Sequence, residues 1–128
     1  MTVQRIDVGS EELIGEIGRM TPEQLDDLPF GAIQLDHHGR VLSYNRAEER
    51  LSGRRREAVV GRDFFAEVAP CTRVKRFFGA FQLGVERRSL NEVFDFVFHF
   101  PEAKREVRIR MIYSETPKPA VWIFVTPV

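Results

Sequence analysis

At 128 residues the chain has room for one domain and not for a second core. Hydrophobic residues make up 43% and charged residues 30%, with 19 basic against 19 acidic side chains, which excludes a disordered chain and any general affinity for nucleic acid or anionic membrane. A single cysteine excludes an internal disulfide, no apolar run approaches the roughly 20 residues of a membrane span, and Met1 to Asp7 carry no secretion signal, so the expectation is a cytoplasmic protein.

In chain order, Ser10 reads as an N-cap for an amphipathic helix with Leu13, Ile14, Ile17 and Met20 on one face. Thr21 starts a second helix, with Pro22 at its first position and Gln24 placed to complete a capping box. Residues 1–28 are therefore expected as an N-terminal helical cap, divided by Pro29 from a core over 29–128. Gly31 to Asp36 and Arg40 to Tyr44 read as two short strands around a turn at Gly39. Asn45 caps a helix over Arg46 to Leu51, with Glu48 in the capping-box position, and Gly53 stops it. Short helical pieces follow at Arg56 to Val60 and from Asp63 through Val68. Pro70 and Cys71 fall on a loop, and Val74 to Arg87 reads as one longer helix with Phe77, Phe81 and Val85 in line.

The last third is β. Phe94, Phe96, Phe98 and Phe100 alternate along one face of a strand. Val107, Ile109, Met111 and Tyr113 alternate with charged residues in a second, with a wet outer face, and Ala120 to Val125 is apolar on both faces. Eleven Phe against one Trp and two Tyr imply an aromatic interior that needs few hydrogen-bond partners. The order gives an α+β fold: a five-stranded antiparallel sheet with helices on one face and an N-terminal helical segment, the arrangement of PAS sensor domains.

Few residues carry chemistry. Cys71 is either a small apolar core residue or, on a loop after Pro70, a nucleophile and acyl acceptor. Tyr44, Glu48 and Ser52 are spaced four apart, close to one stripe of a helix with a drift of about 40° per step. Alternatively Glu48 completes the Asn45 capping box, Ser52 is surface and Tyr44 merely ends a strand. His37, His38 and His99 form no metal-binding pattern. No phosphate-binding loop is present, and Arg54 to Arg56 read as a solvated face balanced by Glu57. Transient acyl transfer on Cys71 would need a general base, and no histidine is placed to serve as one.

The segments Gly31 to Asp36, Val41 to Asn45, Ala47 with Glu48, Ser52 to Arg54, Asp63 to Phe65 and Val68 to Thr72 together resemble the photoactive yellow protein family. The likeness runs on through Phe77, Gly79, Phe81, Gly84, Leu90, Asn91, Phe94 and Trp122 to Val125, over essentially the whole chain. The resemblance implies a blue-light photoreceptor, not an enzyme, with p-coumaric acid attached to Cys71 as a thioester. It implies Tyr44 and Glu48 as hydrogen-bond donors to the chromophore phenolate and Ser52 as the support of Tyr44. It implies a pocket lined by Ile33, Arg54, Phe64, Val68, Ala69, Pro70, Thr72, Phe98 and Phe100. Light would isomerise the chromophore, Glu48 would give up its proton, and the N-terminal segment would loosen to signal to a downstream protein. The alternative is a PAS interaction or small-ligand module without this chromophore. Two positions depart from the family pattern: Phe100 stands where Tyr is usual, and Glu102, after Pro101, where Met is usual. The second departure implies slow recovery in the dark.

Overall fold

The computed structural model describes residues 11–100 and 104–128. Five strands, β1 (Gly31–Leu35), β2 (Val41–Tyr44), β3 (Asn91–His99), β4 (Lys104–Ser114) and β5 (Ala120–Pro127), form one antiparallel sheet in the order β2-β1-β5-β4-β3. β1 and β5 lie in the interior of the sheet, paired from Gly31 with Val125 to Leu35 with Val121. The helices are α1 (Glu11–Glu16), α2 (Pro22–Asp26), α3 (Arg46–Ser52) and α4 (Ala80–Arg87). This is the expected five-stranded α+β arrangement; the N-cap assigned to Ser10 lies outside the described residues.

The two faces of the sheet bury separate cores. On the inner face, Ile33, Leu35, Val107, Ile109, Met111, Val121, Ile123 and Val125 meet the rings of Phe64, Phe65, Phe77, Phe81, Phe94 and Phe98. Phe77 is the hub: its ring centre lies 5.2–5.8 Å from Phe65, Phe94 and Phe96, edge to face, the arrangement ring quadrupoles favour. On the outer face, Leu13, Ile17, Leu25, Leu28 and Phe30 cover Ala32, Ile112, Trp122 and Phe124. The N-terminal segment thus explains why β5 is apolar on both sides. It also corrects the expected wet outer face of β4, since Ile112 is buried there while Arg108 is exposed.

Two helical pieces are wider than the periodicity predicts. The turn Phe64–Val68 closes with bonds from Val68 and Ala69 N–H to the carbonyls five residues back, and Asp63 caps it by accepting from the Phe65 and Ala66 N–H groups. The expected single helix over Val74 to Arg87 opens with a similar wide turn, Lys75–Gly79, before α4. The extra residue per turn lets the adjacent Phe77 and Phe78 both reach the inner core. Cys71, expected on a loop, sits in a tight 3-10 turn, Pro70–Thr72, closed by the Thr72 hydroxyl donating to the Ala69 carbonyl at 2.6 Å.

Candidate functional site

Helix α3 crosses β1 at the end of the sheet, and Asn45 fixes that crossing. Its buried side-chain oxygen accepts from Glu48 N–H at 3.1 Å and Ala32 N–H at 2.9 Å, and its amide donates to the carbonyls of Leu25 and Phe30. One side chain therefore caps α3, ties it to β1 and anchors the end of the N-terminal segment. Because the Asn45 N–H donates to the Ala32 carbonyl, Glu48 is not needed for a capping box and does not form one. Its carboxyl turns inward instead, with the residue only 2% exposed.

The Glu48 Oε1 atom is buried without a hydrogen-bond partner. Burial pushes the carboxyl up to about 8, and the neighbouring Tyr44 hydroxyl counteracts only part of that rise. Glu48 is therefore largely protonated at neutral pH, an acid that can donate. Burial also raises Tyr44, with the nearby Glu48 adding to the shift. The Tyr44 hydroxyl donates to Ser52 Oγ at 2.6 Å, and the Arg54 N–H donates to the same oxygen at 3.1 Å. Ser52 is 9% exposed, so the surface reading of that residue does not hold. Tyr44, Glu48 and Ser52 do share one stripe, at the junction of β2 and α3.

Ile33, Phe64, Val68, Ala69 and Phe98 belong to the inner core together with Tyr44, and Cys71 and Phe100 pack against it half-buried. The rings of Phe98 and Phe100 stack 5.4 Å apart. Arg54 is half-buried at the end of α3. Thr72 is fully buried with its hydroxyl committed to the Ala69 carbonyl, and Pro70 is exposed; both belong to the turn that carries Cys71. The departure at Glu102, with Pro101 before it, lies outside the described residues.

Two participants were not apparent in the sequence. Gly31 lies directly under Glu48, and a Cβ there would collide with Glu48 Oε1. A glycine opening a mostly apolar strand is the signal that could have revealed it. Arg56, expected on a solvated face, donates to Asp26 of α2 at 3.0 Å and to Glu49 of α3 at 3.1 Å, clasping the N-terminal segment to the helix that carries Glu48. The exposed partner of Glu57 is Arg55. Among the described residues no helix is long and apolar enough to cross a membrane.

The comparisons with known proteins agree with this fold. A family model described as the PAS fold matches residues 19–126. The photoactive yellow protein of Rhodothalassium salexigens is 39% identical over 123 residues, 96% of this chain and 98% of that one. That of Halochromatium salexigens is 39% identical over 117 residues, 91% and 93% of the two chains. Among solved structures, the photoactive yellow protein domain from the sensor histidine kinase Ppr of Rhodospirillum centenum superposes with a TM-score of 0.82 at 49% identity. It covers 88% of this chain and 97% of that one. A PAS domain from an HTR-like protein of Haloarcula marismortui, 12% identical, superposes with a TM-score of 0.65 over 92% of this chain and 97% of that one, a likeness of fold alone.

Proposed function

The chain belongs to the photoactive yellow protein family of PAS-fold photoreceptors, and from that premise we propose that it senses blue light through p-coumaric acid held as a thioester on Cys71. The observation that carries this reading is the buried, partnerless Glu48 Oε1 beside Tyr44, in a domain whose one thiol packs against the same dry core. A buried polar atom without a partner is costly, and a ligand oxygen arriving there would supply what the protein does not. The donor set fits such a group: one thiol to hold it, and a hydroxyl and a protonated carboxyl to face its phenolic end.

When bound, a p-coumaroyl thioester supplies visible absorption, a double bond that light isomerises and a phenolate that accepts a proton. The chain's own residues do the rest. Cys71 Sγ forms the bond by attacking the carbonyl of the activated acid, losing its thiol proton as the activating group departs. Tyr44 and Glu48 replace the water that a buried anion loses, a loss worth several kcal/mol when uncompensated. Ser52 now accepts from Tyr44; a hydroxyl can equally donate, and by reversing that bond it frees the Tyr44 proton for the phenolate. Ile33, Phe64, Val68, Ala69, Phe98 and Phe100 keep water out, and Arg54 closes the site beside Ser52.

Once Glu48 gives up its proton it becomes a carboxylate in a dry setting, a state that favours loosening of the surroundings. The adjacent structure is the contact of α3 with the N-terminal segment, held by Asn45 and Arg56. The Rhodospirillum centenum relative is a domain of a sensor histidine kinase, which supports readout by a signalling protein rather than turnover by the domain itself.

The test is acylation. Protein mixed with activated p-coumaric acid should gain the mass of one acyl group and turn yellow, whereas Cys71→Ala should gain none. Labelling of the alanine variant, or a wild-type protein that stays unlabelled, would overturn the assignment.

A further inference from the structure

Gly31 opens β1 on the same face as Ile33, two residues on, and that face carries the inner core. Its backbone is not in the left-handed region, so conformational freedom does not explain the glycine. Space does. A Cβ built on Gly31 would overlap Glu48 Oε1 and lie 3.2 Å from Glu48 Cδ and 3.3 Å from Glu48 Cβ. Real Cβ atoms essentially never come as close as the Oε1 contact, the other two are tighter than most, and the three run along the Glu48 side chain rather than touching only its tip. The carboxyl therefore rests in the notch left by the missing side chain.

Neither wall of that notch can easily retreat. Gly31 is hydrogen-bonded in register opposite Val125 in the sheet interior, and Asn45 holds α3 against β1 through Ala32 and Glu48 N–H. Glu48 has one buried oxygen with no internal partner, so no hydrogen bond keeps that oxygen in place. What holds it, besides the nearby Tyr44 hydroxyl acting on the carboxyl as a whole, is shape.

We propose that Gly31 is the positioning residue for Glu48: its missing side chain seats the carboxyl in a dry notch over β1 and leaves its Oε1 uncommitted. This rests on the reading of Glu48 as the proton donor of a light-sensing site, and it makes Gly31 as necessary to that site as the acid itself. In Gly31→Ala the methyl group would expel the carboxyl from the notch toward Tyr44 and solvent. The acid would then titrate closer to an ordinary carboxyl.

The experiment uses the full chain without an acyl group, so that it does not depend on what Cys71 carries. Carbon-13 NMR of labelled glutamate follows the Glu48 titration in wild type and in Gly31→Ala, with Glu48→Gln identifying the signal. The midpoint, raised in wild type, should fall in Gly31→Ala by about one pH unit or more. A midpoint that is unchanged or higher in a folded Gly31→Ala protein overturns the proposal. If Gly31→Ala alone does not fold, Gly31→Ala combined with Glu48→Ala decides. Recovery of folding in the double variant shows that the clash was with Glu48, and continued failure shows that Gly31 serves some other contact. Failure of acylation at Cys71 would instead sink the light-sensing reading and leave this result standing.

Discussion

The two faces of the sheet bury comparable elements in opposite ways. The inner face is a field of phenylalanine rings around Phe77, and the buried acid at its edge has an oxygen with no partner. The outer face, beneath α1 and α2, is joined to the rest by polar ties that are satisfied: four hydrogen bonds at Asn45, and Arg56 between Asp26 and Glu49. An unsatisfied group stores a demand that a ligand can meet, whereas satisfied ties hold a segment in place and can be broken one at a time. The contrast is local to α3, since Arg110 Nε on the outer face of β4 is also buried without a partner. On the proposed reading, chemistry would belong on the inner side and movement on the outer, joined through α3.

The comparison can be broken most forcefully at its aromatic hub. Phe77→Ala removes a fully buried ring touching several others and should cost about 3–5 kcal/mol in urea unfolding. A loss below about 1 kcal/mol would mean that the inner face is not the cooperative core.

Comparable in size is the pH dependence written into Glu48. The folded carboxyl, raised to about 8 from an ordinary 4.5, holds its proton more tightly than the unfolded one. Between those values the native state carries more protons, so stability is greatest below about pH 4.5 and falls as pH rises through 8. The loss across that window should be on the order of 5 kcal/mol in the chromophore-free protein, and Glu48→Gln should abolish it. In the acylated protein the same substitution replaces a strong donor by a weaker one, so the absorption should shift to the red. An unchanged pH profile together with an unchanged spectrum would return Glu48 to the role of an ordinary helix residue.

Asn45→Ala tests the joint between the faces. It removes a cap and leaves two buried carbonyls and two N–H groups without that partner, at a cost of about 2–3 kcal/mol. Amide exchange in α2 should accelerate along with that in α3; acceleration in α3 alone would show that the two are not coupled there. The smallest effect is expected at Arg56→Ala, about 1 kcal/mol, because the clasp is partly exposed and screened by salt. Wild-type protection of α2 should weaken as ionic strength rises, and the variant should lose that dependence. A salt response that survives in Arg56→Ala would place the outer-face ties elsewhere, with Arg46 beside Asp26 as the next residue to test.

Local patterns determined much of this protein from the sequence alone. Strict alternation placed Phe94, Phe96 and Phe98 on one strand face, because a strand repeats every two residues. Thr21, Asn45 and Gly53 marked helix ends through short-range bonds and backbone geometry that need no distant partner. The joint appearance of Tyr44, Glu48 and Cys71 pointed to the family because those residues stand in the right order along the chain. Tertiary structure decided what depends on neighbours remote in sequence. Ile112 is dry because the N-terminal segment lies over it, which β4's own alternation cannot reveal. Arg56 is a tie rather than a solvated charge because Asp26, thirty residues earlier, is brought within 3.0 Å. Glu48 left the capping box because the Ala32 carbonyl took the Asn45 N–H, and Gly31 mattered only once α3 had been laid across β1. Periodicity and caps are written in the order of residues, but the environment that raises a carboxyl or seats it in a notch exists only after the chain has folded back on itself.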